Sequence, residues 1–357
     1  MLGHMIRRTF ICRRPVFAAA LLMAIAAPSS AAFRVVEAQP GQGAAPELYL
    51  TGEISTATVS EFRALSAGGR LNGAIVYLDS SGGDPQAGLS LGTLIRERRM
   101  NTAVGRAGAS AGRPARGSCL SACVLAYAGG TFRFIDPAAV LGIHRFYRRT
   151  ASAGDLALAQ VMSAAITSYL IRMGIDPALF ERMAAVDGDK MMFLPHAEAL
   201  KLNLVNNGVL PAEWAIEGKQ GSVYLAGRQI TSNGTGKVTM SCAPGNRIRF
   251  SALYDAGTNN RYISTHTSHY SLRVNNQFLP ISSMSKTAAV SGDYVTASFL
   301  PDLNLLWSLS GAQQIGFGFH TENSDTFFGF LISAAGQQEL IRSWVRHCTE
   351  TSPGTGA

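Results

Sequence analysis

The run Ala74-Ile75-Val76-Tyr77-Leu78 is almost unbroken in apolar side chains and leads directly into Asp79-Ser80-Ser81-Gly82-Gly83-Asp84-Pro85. A strand without a polar face has to be covered on both sides, which a parallel sheet flanked by helices achieves and a half-wet antiparallel sheet does not. The glycine pair then reads as a loop, Asp84 as a helix N-cap and Pro85 as the first helical residue; the helix is expected to run to about residue 100. The same order recurs. Residues 101–104 read as a strand, 105–118 as a glycine- and arginine-rich loop long enough to cover a site, and a short helix is expected from Ala122 to Gly129-Gly130. Residues 131–135 and 140–143 read as further strands, 155–173 as a helix stopped by Gly174, and Asp176-Pro177 as the start of another. Upstream, residues 48–50 read as a strand, and Thr58-Val59-Ser60-Glu61 has the form of a capping box. Strands alternating with helices predict an α/β layer whose loops at the carboxyl ends of strands carry the site.

The amino end is of another kind. Arg7, Arg8, Arg13 and Arg14 precede an apolar stretch over residues 16–27, and Ser30-Ala31-Ala32 supplies small residues that a signal peptidase reads. Residues 1–32 are therefore expected to be a signal peptide directing the chain to the periplasm or out of the cell, and Arg7-Arg8 also fits a twin-arginine signal. The apolar stretch falls short of the roughly 20 residues of a spanning helix, so membrane attachment is expected only if the segment stays uncleaved. Residues 33–46 read as a flexible leader. Residues 1–32 hold four arginines and no acid, so without them the formal charge falls from +8 to +4. Such a mildly basic surface, with no run of basic and aromatic residues, gives no case for nucleic acid as a partner.

The character changes beyond residue 212, the expected end of an α/β domain over 47–212. Residues 213–236 hold many Gly, Ser, Thr and Asn and read as a linker, and 237–350 as a smaller β-rich or α+β C-terminal domain ending in a helix. Cys242 and Cys348 bracket that domain and are expected to be bridged in an oxidising compartment. Cys119 and Cys123 admit three readings: buried thiols, a local disulfide, or metal ligands. A disulfide there requires a chain that is not regular helix. With only His144 as a further ligand in view, no metal site is expected.

Ser121 lies between those two cysteines at the expected start of a helix, and His144 ends the apolar run Leu141-Gly142-Ile143. A hydroxyl becomes a nucleophile only when a base takes its proton and fixed donors hold the oxyanion that forms. The N–H of Ala122, next to Ser121 at a helix N-terminus, is one candidate donor; the N–H of Gly83, free of a side chain at the end of a buried strand, is the other. His196, His266, His269 and His320 lack a comparable setting.

In order along the chain, Ile75-Val76-Tyr77-Leu78-Asp79-Ser80-Ser81-Gly82-Gly83, Cys119-Leu120-Ser121-Ala122-Cys123, Gly142-Ile143-His144 and Phe193-Leu194-Pro195-His196-Ala197-Glu198-Ala199-Leu200 resemble the proteolytic subunit of Clp protease. The resemblance covers residues 48–205 and is nearest to exported bacterial Clp-protease-like proteins. It implies the crotonase-like (ClpP/crotonase) α/β fold, Ser121 as nucleophile, His144 as base, Gly83 and Ala122 as oxyanion donors, and self-association as a homo-oligomer. The orienting carboxylate that it implies falls on Met191, so Asp189, with Asp187 as the alternative, is expected to take that part.

These readings predict an exported serine peptidase that needs no cofactor and cleaves peptides or unfolded protein through an acyl-enzyme. No Gly-x-x-x-x-Gly-Lys-Ser loop is present to cradle a nucleotide phosphate, so no ATP-driven unfolding is expected of this chain. Met191 supports an alternative of another class, a catalytically silent binding or scaffold protein on the same fold.

Overall fold

The computed structural model describes residues 31–37, 45–108, 113–147, 154–219, 221–281, 288–322 and 327–350. The expected signal segment, up to residue 30, lies outside them. So do residues 38–44 of the expected leader and 109–112 of the arginine-rich loop.

The chain is mixed α/β. Its first part runs β1 (Ala32–Val36), β2 (Glu47–Thr51), α1 (Thr56–Leu65), β3 (Ile75–Asp79), α2 (Pro85–Glu97), β4 (Asn101–Val104), β5 (Ser118–Leu120), α3 (Ala122–Ala128), β6 (Arg133–Phe134), β7 (Val140–Ile143), α4 (Asp155–Arg172), α5 (Ala178–Ala185), β8 (Met192–Phe193) and α6 (His196–Lys201). Strands β2, β3, β4 and β6 pair in parallel, with β1 added antiparallel at the edge. The early part of the expected leader, residues 33–36, is thus strand: Phe33 and Val35 pack on the core, and β1 pairs along all of β2. A second sheet, β5-β7-β8, joins the first through a parallel bridge between Ser80 and Cys119.

Local chemistry explains these elements. Asp84 accepts from the Ala87 N–H at 2.7 Å and Pro85 occupies the first helical position, so α2 starts where expected. Its buried residues Ala87, Gly88, Leu91, Gly92 and Ile95 recur at helical spacing and form one face. The cap of α1 is Ser55 rather than Thr58: Ser55 and Thr58 each accept from the other's backbone N–H, which starts the helix three residues earlier than expected.

Arg133, 2% exposed, ties this part together without a carboxylate. Its guanidinium donates to the carbonyls of Asn203 (2.7 Å), Leu204 (2.8 Å), Gly130 (2.9 Å) and Met173 (3.5 Å). Burial, with Arg96 nearby, lowers its pKa to about 10.

The second part runs β9 (Glu213–Lys219), β10 (Ser222–Thr231), β11 (Gly234–Ala243), β12 (Arg247–Asp255), α7 (Asn260–His266), β13 (Thr267–Val274), β14 (Gln277–Pro280), β15 (Ala289–Ser291), β16 (Tyr294–Phe299), α8 (Leu303–Ser310), β17 (Gln314–Thr321), β18 (Phe327–Ser333) and α9 (Gln338–Glu350). Two antiparallel sheets result, β15-β16-β12-β11-β10-β9 and β14-β13-β17-β18. Residues 213–236 are therefore not a linker; they form β9, β10 and the start of β11. Two of the glycines that suggested a linker make room for rings, because a Cβ on Gly227 would strike Trp214 and one on Gly236 would strike Phe330. Buried apolar residues fall into two separate clusters, 31–205 and 225–348. Cys242 on β11 and Cys348 on α9 are bridged, with Cα atoms 4.9 Å apart. Among the described residues no helix is long and apolar enough to cross a membrane.

Candidate active site

Ser121 sits at the junction of β5 and α3, where the backbone turns through φ 55° and ψ −124°. That region is disfavoured for a residue with a Cβ and costs about 1–3 kcal/mol, so it persists only where the surroundings enforce it. Here they do. The Ser121 N–H donates to Gly142 O at 2.8 Å, the Leu120 N–H donates to Ser80 O at 3.0 Å, and α3 is buried along its whole length. Gly82, at φ +105°, lies so close that a Cβ on it would be 2.7 Å from Ser121 Cβ and 3.2 Å from Ala122 N. The glycine is required there by both conformation and space.

The turn aims Ser121 Oγ at the ring of His144, which extends from the end of β7, and Oγ lies 2.6 Å from Nε2. On the far side of the ring, Nδ1 lies 2.8 Å from the backbone carbonyl of Gly188. A carbonyl only accepts, so Nδ1 carries the proton and donates. The neutral ring then presents a lone pair at Nε2, and Ser121 donates its hydroxyl proton to it. This is the tautomer a general base needs. Tyr147 meets the ring edge-on at 5.9 Å between centroids and also covers Gly188, where a Cβ would be 2.5 Å from its ring.

Asp189 does not take the part expected of it. It is exposed and forms no hydrogen bond or ion pair with His144; the chain turns so that the carbonyl one residue earlier faces the imidazole. Asp187 does not reach the ring either. It pairs with Arg145 (3.0 Å) and Lys190 (2.9 Å), and the hydrogen bond from Lys190, followed by the charges of Lys190 and Arg145, holds its carboxyl below the usual carboxylate range. The Arg145 N–H also donates to Val186 O at 3.1 Å, so the segment bearing Gly188 is fastened to the residue after His144. Met191 packs beside Gly142, where a Cβ would be 2.9 Å from its Sδ.

Of the expected oxyanion donors, Ala122 follows Ser121 directly and Gly83 follows Gly82, the glycine packed against Ser121 and Ala122. The Gly82 N–H is taken up by Ser80 Oγ at 3.1 Å, and Gly82 O accepts from Ile54. The Gly83 N–H has no acceptor among the described residues. Ala122, as the first residue of α3, has no carbonyl one turn back to bond. A cleft of about 510 Å³ opens from Gly83 between Pro85, Phe146, Tyr147, Leu158 and Met162. A smaller one of about 210 Å³ starts at His144 and passes Phe146, Phe180 and Met183. A further cleft, about 860 Å³ between α2 and α4, touches neither Ser121 nor His144.

Cys119 and Cys123 form a disulfide with Cα atoms 5.2 Å apart. Four residues can be bridged because Cys119 is on a strand and Cys123 in the first turn of α3, so the segment is not regular helix. Described residues 105–108 and 113–117 form a hairpin stem, with Arg106 and Ala115 exchanging backbone hydrogen bonds and Arg106 lying 3.8 Å from Asp79. Sequence reasoning missed Gly188, since a backbone acceptor leaves no side-chain signature; its one trace is the glycine in Asp187-Gly188-Asp189.

No protein-family model matches the chain, and a search of curated proteins returns no match. Among solved structures, the chain is similar to a substituted form of a membrane-bound stomatin-specific protease at 17% identity and TM-score 0.33, over 44% of this chain and 75% of that one. It is similar to a ClpP1 mutant from Listeria monocytogenes at 17% and 0.31, over 43% and 85%. It is also similar to the ClpP protease catalytic domain from Plasmodium falciparum at 17% and 0.32, over 44% and 81%.

Proposed function

We propose that this chain is an exported serine peptidase of Clp-protease-like, crotonase-type fold, acting on peptides or unfolded protein without a cofactor. The observation that carries the reading is the 2.6 Å contact between Ser121 Oγ and His144 Nε2 at the N-terminus of a buried helix, beside a glycine loop. In this reading Ser121 Oγ attacks the scissile carbonyl while Nε2 takes its proton. The N–H groups of Ala122 and Gly83 hold the oxyanion, a donor of this kind being worth about a hundredfold to a thousandfold in rate. The imidazolium returns its proton to the leaving amine, and water activated by the same ring releases the acyl group. The Gly188 carbonyl fixes the tautomer.

Two disulfides fit an oxidising compartment and so support the export reading. We read the second buried cluster as a separate C-terminal domain and expect self-association through the first part. The test is hydrolysis of peptide esters by purified protein lacking residues 1–32. Ser121→Ala is expected to abolish it; equal rates with and without the substitution would overturn the reading.

The silent scaffold remains a second reading because of one observation: the partner of Nδ1 is a neutral carbonyl. A carbonyl orients the ring but adds no negative charge to stabilise an imidazolium. In serine proteases, replacing the carboxylate costs about ten-thousandfold, much of it through the wrong tautomer. Here the tautomer is right, so a slow enzyme rather than a dead one is expected.

A further inference from the structure

The proposed nucleophile stands on a backbone turn that its own side chain disfavours, and the one covalent link across that turn is the Cys119–Cys123 bridge. We propose that this disulfide positions Ser121 for reaction, so that the site is assembled when the bridge closes and disassembled when it opens. The inference rests on Ser121 being the nucleophile.

Three observations support it. First, the link joins the strand on one side of Ser121 to the helix on the other, so Leu120, Ser121 and Ala122 form the loop that it closes. Opening it removes the covalent tie between the first turn of α3 and β5, leaving non-covalent contacts alone to hold the turn, and Ser121 is then expected to relax toward an ordinary conformation. That relaxation takes Oγ away from His144 Nε2 and rotates the Ala122 N–H. The backbone bonds at the turn, from Ser121 to Gly142 and from Val124 to Ser121, remain, but neither joins α3 to β5.

Second, the loop is too short to serve chiefly as a stability staple. Chain-entropy stabilisation grows with the length of the loop closed, and this bridge spans 4 residues where Cys242–Cys348 spans 106. The long bridge restrains the unfolded chain; the short one acts mainly on the geometry of the native turn.

Third, both cysteines are wholly buried. Reductants reach the bridge only through local opening, so its state is set chiefly where the chain folds. On closure the two thiols give up two electrons and two protons to the disulfide of an exchange partner, which leaves as a pair of thiols. Opening by a dithiol runs in reverse, the dithiol closing to its own disulfide. A chain that folds in a reducing compartment then has the fold with an unassembled site, and folding after export switches the site on.

The experiment uses a Cys242→Ala/Cys348→Ala variant of the protein lacking residues 1–32, in which Cys119 and Cys123 are the cysteines left, equilibrated across a series of dithiothreitol ratios. Circular dichroism reads the fold, mass mapping reads the bridge, and kcat, KM and labelling by a serine-directed phosphonate read the site. Opening the bridge is expected to lower kcat and the labelling rate at least tenfold, with KM within twofold, an unchanged far-ultraviolet spectrum, and recovery on reoxidation. In parallel, Cys119→Ala/Cys123→Ala with the long bridge intact is expected to show the same loss of kcat. Activity and labelling that stay level while the bridge opens would overturn the inference. A wild type that neither hydrolyses nor labels when fully oxidised would instead overturn the reading of Ser121 on which it rests.

Discussion

The imidazole of His144 donates from Nδ1 to the backbone carbonyl of Gly188 across 2.8 Å, in the place where a carboxylate was expected. The proton that this acceptor holds on Nδ1 leaves Nε2 free to receive the hydroxyl of Ser121. Asp189 takes no part in this relay. Asp189→Asn is therefore expected to change kcat/KM by no more than about twofold, the scale of a surface substitution. A fall of a hundredfold or more in steady-state ester hydrolysis would show that its carboxylate reaches the ring during turnover.

Gly82 packs directly against Ser121, and the site depends on its lack of a side chain. A Cβ there meets Ser121 Cβ at 2.7 Å and Leu120 O at 2.8 Å, and the φ of +105° is itself hostile to one. Gly82→Ala is expected to destabilise the fold by about 1–3 kcal/mol, as overpacking does. It is also expected to remove most hydrolysis by displacing Ser121. Urea unfolding and ester hydrolysis on the same sample check both halves.

Arg133 holds four carbonyls, of which Gly130 O is shared with Arg96 at 2.8 Å while those of Asn203, Leu204 and Met173 depend on the Arg133 guanidinium. Each orphaned buried acceptor costs about 1–3 kcal/mol, partly recovered where water enters, so Arg133→Ala is expected to cost about 3 kcal/mol or more. Arg133→Lys restores little, because an ammonium presents its donors from one point rather than from a fork. A loss below about 1 kcal/mol in denaturant unfolding would contradict this account.

His320 gives the second part a pH dependence. Burial foremost, then the charges of His269 and Arg273, lower its pKa below the usual 6.5. The fold thus favours the neutral ring that shares a 2.7 Å hydrogen bond with Ser271. The unfolded chain binds a proton below pH 6.5 while the folded chain does not. Stability is therefore full above 6.5 and falls as the pH drops from there through the lowered folded value. Thermal unfolding is expected to show a smaller drop in Tm between pH 7.5 and 5.5 for His320→Gln than for wild type.

Much of the first part was legible because its signals are local. The apolar run before Gly82-Gly83 became β3 (Ile75–Asp79), and Asp84-Pro85 opened α2 as a capped helix should. Ser121 and His144, 23 residues apart in sequence, meet because the strands before them, β5 and β7, pair in parallel. What escaped the sequence depends on distant partners. Gly227 and Gly236 look like linker glycines until Trp214 and Phe330 are placed over them. Phe33 and Val35 become strand residues only beside β2. Asp189 carried the expected chemistry in its side chain, but the turn presents the carbonyl of Gly188 instead, and no residue type advertises where a backbone carbonyl points.

The central claim is that Ser121 is an activated nucleophile and His144 the base that activates it. The most direct measurement is peptide mapping by mass spectrometry after the oxidised protein is treated with a fluorophosphonate. A single adduct on Ser121 in the wild type, lost in His144→Ala, is the expected result. A wild type that takes up no label, or labels with undiminished rate once His144 is removed, would contradict the account.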